Sequence, residues 1–537
     1  MSRYTLLLAV SLFLPVRLAR AQMEHEHGGP PPTRLGRVDF PTSCSAQAQL
    51  RFERGVALQH SFWFEESARA FRDAAAADST CAMAWWGVAS SYLHPLWAPP
   101  GPEDLRSGAA ALERARALHP PTPLERDWVE AIGTYYRDYA TARHPDRLRA
   151  WSDALARLHE TYPDDAEAAV FYALSLIAVA QNSPPDTTYA RQRRAGAILE
   201  PLFHRQPNHP GLAHYLIHAY DSPALAAVGE GAANRYASIA PSVPHARHMP
   251  SHIYIRLGTW DAAIASNLSS AAAARQYETE QHLDAAWDQR LHAMDYLEYA
   301  YLQQGRDAAA QRRVDEAARM QRVFPEGSVT AQYALAAIPA RYALERGQWR
   351  EAIGLDIRQG FQPAAEAVTR FARAVGAARG GNLAGARADL AALAALDSDL
   401  TRRQVPVWAG MVHAQRLAAE AWLALAERDT ARAVQIAAQA ADLEDGSEKH
   451  PVTPGAILPA RELQGDMLLE LGRPREALVA YRAALALQPR RPRSLAGAAR
   501  AAELAGDGAS ARGYQREYRA LMARADRARR EIALGRP

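Results

Sequence analysis

Residues 460–489, ARELQGDMLLELGRPREALVAYRAALALQP, consist of two alanine- and leucine-rich segments of helical period, joined at Gly472 and closed by Pro489. A second stretch, residues 51–79, RFERGVALQHSFWFEESARAFRDAAAADS, has the same layout. A pair of short antiparallel helices cannot bury its apolar faces alone, so a chain made of such pairs must stack each on the next. Elsewhere, too, glycine and proline fall mostly between alanine-rich segments of helical period, and β-branched runs at period two are scarce. The expected fold class is all-α.

The 460–489 unit resembles a tetratricopeptide repeat, with Gly465 at position 8 of the repeat, Gly472 at the turn, Ala477 at 20, Tyr481 at 24, Ala484 at 27 and Pro489 at 32. Residues 51–79 fit the same frame, with Gly55 at position 8, Phe71 at 24 and Ala74 at 27. Weaker units follow at YIRLGTWDAAIASN, YLQQGRDAAAQRR, RYALERGQWREAIGLD and GGNLAGARADLAAL. The resemblance implies a helical-hairpin solenoid, a right-handed superhelix with a long concave surface. WAPPGPEDL, AQNSPPDTTYARQRR and EDGSEKHPVTPG break the period as irregular insertions. The expected organisation is a solenoid over 46–445, a linker over 446–457 and C-terminal repeats over 458–537.

The first residues, MSRYTLLLAVSLFLPVRLARAQ, have an arginine, an apolar run and a small-x-small site at Ala19 and Ala21, as in a secretory signal peptide over 1–21. MEHEHGGPPPTRLG then reads as a flexible leader over 22–45. Export to a periplasmic or extracellular location makes Cys44 and Cys81 a candidate disulfide. No later apolar run approaches the length of a membrane span. The net charge of +3 over 537 residues, with basic residues spread along the chain, gives no sign of a nucleic-acid partner. Lys449 is the one lysine among 62 basic residues, which reads as composition bias.

Histidine is concentrated in two stretches, GLAHYLIHAY and HARHMPSHIYIRLGTW. His214 and His218 are four apart, as are His248 and His252, so each pair shares one helical face. Between the stretches the offset is one repeat length of 34. By resemblance, His214 and His248 take position 5 and His218 and His252 position 9, which line the concave groove of tetratricopeptide repeats. The next unit places His292 at position 2 and Asp295 at position 5; His60 and His94 both fall at position 13. Imidazoles from adjacent helices can meet around a divalent ion such as zinc or copper. The expected ligands are His214, His218, His248, His252 and His292, with His245 either adding to them or orienting one. The alternative is a polar groove in which histidines bond to tyrosines such as Tyr215 and Tyr254. Pro250 either breaks a helix or begins one, and in the second case His248 lies just before it.

HExxH, GxSxG, a Walker loop, GxGxxG and CxxC do not occur, so no catalytic residue is assigned. PTSCSAQAQLRFERGVALQHSFWFEESARAF with CAMAWWG and HMPSHIYIRLG is similar to an uncharacterised group of exported bacterial tetratricopeptide proteins. The resemblance implies a scaffold that binds a protein or peptide along its concave face, with a histidine-lined sector able to hold a transition metal. The competing expectation is a metal-dependent enzyme or a metal carrier built on the same histidines.

Overall fold

Aromatic residues wedged against glycines set the spacing of the helix pairs. In the first unit Phe71 packs so tightly that a Cβ added at Gly55 would lie 2.7 Å from its ring, and one at Gly87 of the following helix 2.3 Å. Tyr481 does the same near the other end, 2.8 Å from a Cβ built at Gly465 and 2.3 Å from one at Gly497. The frame therefore holds where the resemblance is strongest.

The computed structural model describes residues 33–96 and 99–533. Helices succeed one another in antiparallel pairs from Ala46–His60 to Arg527–Ala533, each packed mainly on its sequence neighbours. The chain is a tetratricopeptide-like helical solenoid. Strand structure among the described residues is a short parallel pair, Ala286–Trp287 with Val323–Phe324. No described helix is long and apolar enough to cross a membrane. The signal-peptide segment 1–21 lies outside the described residues.

Residues 33–45, assigned above to a flexible leader, instead run without helix along the first units. Leu35, Val38 and Phe40 are buried, and Phe40 meets Phe52 and Trp86 at 5.2 and 5.5 Å. The cause is a short apolar alternation that proline-rich flanks conceal in the sequence. Cys44 and Cys81 form a disulfide that ties this segment down. Ser43 adds bonds from its N–H and hydroxyl to the Glu125 carboxylate, 2.7 and 2.9 Å. With a sequence separation of 37, the closed loop stabilises the fold by about 4 kcal/mol in the chain-entropy model. The Cys44→Ser/Cys81→Ser protein is expected to lose that amount, read from its urea unfolding midpoint. A loss under about 1 kcal/mol would assign the anchoring to Ser43 and the buried apolar residues instead.

Segment 446–457, read above as a linker, does not lie outside the solenoid. Val452, Thr453 and Ile457 are buried, and the Tyr296 hydroxyl bonds to the carbonyls of Pro451 and Thr453 at 2.7 and 2.9 Å. Tyr189 bonds to Glu448 at 2.7 Å, and Gln181 approaches His450 at 3.3 Å. The superhelix thus turns far enough for its late segment to fill the concave face of its middle, which makes an enclosed site out of a groove.

Candidate metal centre

Helix Pro210–Tyr220 begins with proline at its first position and is capped by His209, whose ring nitrogen accepts from the Leu212 N–H at 3.3 Å. It carries His214 and His218. The next such element is broken: Pro244–His248 ends, Met249 keeps helical angles of −53° and −36°, and Pro250–Leu257 begins. Pro250 removes one backbone N–H without changing the chain direction, so His248 and His252 still share a face. Helix Asp288–Gln303 supplies His292.

These elements bring six imidazoles together as two adjoining triads. In the first, His214 Nε2 lies 3.1 Å from His218 Nε2 and 3.2 Å from His245 Nε2. In the second, His248 Nε2 lies 3.0 Å from His252 Nε2, and the His292 ring is 4.1 Å from that of His248. One ligand atom from each member lies within 4.8 Å of the others in both triads. Ring separations between the triads are 5.8 Å for His218 and His252 and 5.9 Å for His245 and His248.

Protonation follows from the outer ring nitrogens. His214 Nδ1 lies 2.6 Å from the His60 carbonyl, His248 Nδ1 2.6 Å from Asn267 Oδ1, and His252 Nδ1 2.8 Å from Asp221 Oδ2. Asn267 gives its own amide N–H to the Ala263 carbonyl at 2.8 Å, which fixes its oxygen toward His248. All three partners only accept, so each Nδ1 carries the hydrogen, and a neutral ring then has a bare lone pair at Nε2. Burial keeps the rings neutral. It lowers His214 to about 3, against the backbone bond to His60, and His252 to about 4, against Asp221. His218, His245, His248 and His292 are also held well below the usual range, first by burial and then by neighbouring imidazoles. His248 and His252 therefore face each other with two lone pairs at 3.0 Å. Neither can donate to the other, and a cation between them resolves the repulsion.

The surroundings brace this arrangement. Phe62 packs on His214 at 4.4 Å, Tyr236 stacks on the same ring at 5.1 Å, and Tyr296 closes on His248 at 4.5 Å. Behind His214, His60 Nε2 and His209 Nε2 reach the two oxygens of Glu167 at 2.9 and 2.8 Å, and His60 Nδ1 meets the Tyr215 hydroxyl at 3.0 Å. Burial pulls the Glu167 carboxyl upward, but His60 and His209 outweigh it and leave it at about 2. Both imidazoles of this third group are bonded at both nitrogens, so it supports the His60 carbonyl and has no imidazole lone pair left for an ion.

Asp221 anchors the other side. It takes Lys449 Nζ at 2.7 Å and Arg256 Nε at 2.9 Å as well as His252. Burial raises its carboxyl, and Lys449 and Arg256 more than reverse this, leaving it well below the ordinary range.

The residues singled out by sequence thus divide. His214, His218, His248, His252 and His292 converge, and His245 joins the first triad directly. His60 and Tyr215 stand behind it. His94 packs on Phe64 at 4.5 Å in a separate hollow with His144 and His450. The Tyr254 hydroxyl turns to Asn234 at 2.8 Å. Asp295 does not face the imidazoles; it is fully buried in an ion pair with Arg341, with Glu298 3.6 Å from the same guanidinium. Asp221, Asn267, Tyr296 and Lys449 were missed. Only Lys449 left a signal, as the one lysine in an arginine-rich chain.

Fold and site together define a tetratricopeptide-like repeat protein with an enclosed six-histidine centre. No family model and no curated protein matches the chain. Among solved structures it is similar to the human IFIT1 dimer with m7Gppp-AAAA at 14% identity, covering 91% of this chain and 92% of that one, with a TM-score of 0.38. A monomeric IFIT1 mutant with Gppp-AAAA aligns at 12% identity, over 89% of this chain and 98% of that one, with the same TM-score of 0.38.

Proposed function

We propose that this chain is an exported helical-repeat protein that holds two transition-metal ions, one in each histidine triad, and that the metal is copper. The observation that carries the reading is the pair of facing lone pairs on His248 and His252, fixed by Asn267 and Asp221. Three imidazole nitrogens suit zinc or copper equally in number. Charge separates them. All six ligands are neutral and no carboxylate stands among them, and Asp221 beside His252 is already matched by Lys449 and Arg256, so little offsets the repulsion between two ions. Coulomb energy scales with the product of the charges, and two divalent ions repel four times as strongly as two monovalent ones at any separation. For unit charges the energy is about 4 kcal/mol at 4 Å with an effective dielectric of 20. Copper has a monovalent state that suits three imidazoles, and zinc has none. A copper pair supplies two-electron redox chemistry; the chain supplies the ligands, their orientation and a nearly dry enclosure.

Export is supported by the signal-like opening and by the disulfide. A peptide partner at this sector would compete with residues 446–457, which already occupy the concave face. The geometry therefore favours the metal over the peptide here.

Elemental analysis of protein purified from an oxidising compartment without chelator is expected to give two copper ions per chain. Replacing His214, His218 and His245 by alanine is expected to leave one, and replacing His248, His252 and His292 likewise one. A folded wild-type protein that takes up no copper would overturn the reading.

A further inference from the structure

Five of the six imidazoles are buried, and His218 alone is half-buried. It lines a cleft of about 1110 Å³ whose wall also includes Asp186, Asp221, Glu448 and Lys449. Three carboxylates thus stand against a single ammonium, and that ammonium is already taken: Lys449 donates to Asp221 at 2.7 Å. Arg256 behind them meets both Asp221 and Glu448, at 2.9 and 3.1 Å. Exposed Asp186 accepts from the Thr188 hydroxyl and the Ala190 N–H, at 2.6 and 3.1 Å. The lining therefore leaves no cation to attract an anion, while a carboxylate at its edge draws cations inward.

The second triad meets this cleft differently from the first. His248, His252 and His292 are all buried. Asp221 is their contact with the cleft, and it holds His252 by Nδ1, the nitrogen on the far side of the ring from the lone pair that faces His248. An ion in the cleft thus finds the back of His252, closed by the Asp221 ion pairs. His218, by contrast, borders the cleft and brings its own Nε2 to the first triad, 3.1 Å from His214 Nε2. The triads adjoin at these same two residues, with the His218 and His252 rings 5.8 Å apart.

We propose that this cleft is the entry path for the metal: His218 takes a monovalent transition-metal ion from it into the first triad, and the second triad fills and empties only through the first. The proposal rests on the metal reading above. Transfer is an exchange of ligands without change of charge, in which imidazole nitrogens replace, one at a time, the small neutral ligands that the ion brings with it. The cleft is far larger than a bare ion, so it admits one that still carries those ligands. His218 makes the first bond on entry and breaks the last on exit.

Copper content is measured first on every protein. Uptake is then followed with copper(I) supplied as its acetonitrile complex under nitrogen, and release with excess bathocuproine disulfonate, whose copper(I) complex absorbs in the visible. The wild type is expected to release its copper in two phases of equal amplitude, the second at least tenfold slower. Val407→Trp, at a residue that lines this cleft, is expected to slow uptake and both phases of release at least tenfold with two coppers retained. Met411→Trp, in a neighbouring cleft that shares Lys449 but contains no imidazole, is expected to exchange as the wild type does. Full copper with Val407→Trp exchanging at the wild-type rate, equal slowing by Met411→Trp, or a single phase of release from the wild type overturns the entry path and leaves the metal centre standing. Absence of copper from folded protein overturns both.

Discussion

Lowering the pH from 6.5 to 4.5 is expected to remove about 4 kcal/mol of stability from the metal-free protein through His214 and His252 alone. Both rings are neutral in the folded chain, lowered to about 3 and about 4, with burial the leading cause. In the unfolded chain they titrate near their ordinary value of about 6.5. Between these limits the unfolded state binds more protons, so stability rises with pH in this window. The contribution is complete above about 6.5 and is lost as pH falls toward the folded values. Each group changes stability by at most about 1.4 kcal/mol per pH unit, less near 6.5 where the unfolded ring is only half protonated, and two groups over two units give the stated loss. The other four imidazoles act in the same direction. Asp221, whose folded carboxyl is also lowered, acts only below the ordinary carboxylate range and does not enter this window. Urea midpoints of chelator-treated protein at the two pH values measure the effect. His214→Gln/His252→Gln is expected to flatten the profile by about that amount. Parallel profiles for wild type and variant would show that these rings protonate without strain, and the dry centre would be discarded.

How much of this was legible in the sequence depends on which physical rule governed each position. The 34-residue offset between His214 and His248, and between His218 and His252, was readable because repeat geometry copies a side-chain direction from one unit to the next. The same rule misled at Asp295. Its register pointed toward the concave face, but Arg341 on a later helix offered a buried cation, and an unpaired carboxylate there would be far more costly than a turn away from the groove. His94 shares a repeat position with His60 and yet lies elsewhere, because helix Ala82–Ser91 ends before it and its φ is +48°, whereas His60 is still the last residue of its helix. Periodicity says nothing about how far a superhelix turns. Residues 446–457 look like a linker by composition, and only the closure of the solenoid brings Lys449 and Val452 to the histidines. Asn267 and Asp221 were hidden for a related reason: a residue that orients a ligand needs no sequence spacing from it, only contact.

Asp221→Ala is expected to separate structure from metal binding within this centre. One carboxylate serves three groups: Oδ2 takes Lys449 and His252 at 2.7 and 2.8 Å, and Oδ1 takes Arg256 at 2.9 Å. Removing one member of a buried ion pair typically costs about 3–5 kcal/mol, because the partner is left charged without compensation. Here two cations lose that partner, which places the loss at about 5 kcal/mol. Two features keep it from being larger. Arg256 retains Glu448 at 3.1 Å, and Lys449, lowered to about 8 chiefly by burial, can shed its proton. The functional effect follows a different path. Without Asp221 the His252 Nδ1–H has lost its acceptor, so the ring is free to turn or to move its hydrogen to Nε2, where it blocks the lone pair. Affinity for the second ion is expected to fall about 10–100-fold, while the first triad, oriented by the His60 carbonyl and the Glu167 group behind it, keeps its ion. Titration of loaded protein with a competing chelator resolves the two ions: one early release step and one at the wild-type position is the expected trace. Equal weakening of both would make the six histidines a single site with a shared set of ligands, and no weakening of either would remove His252 from the ligands altogether.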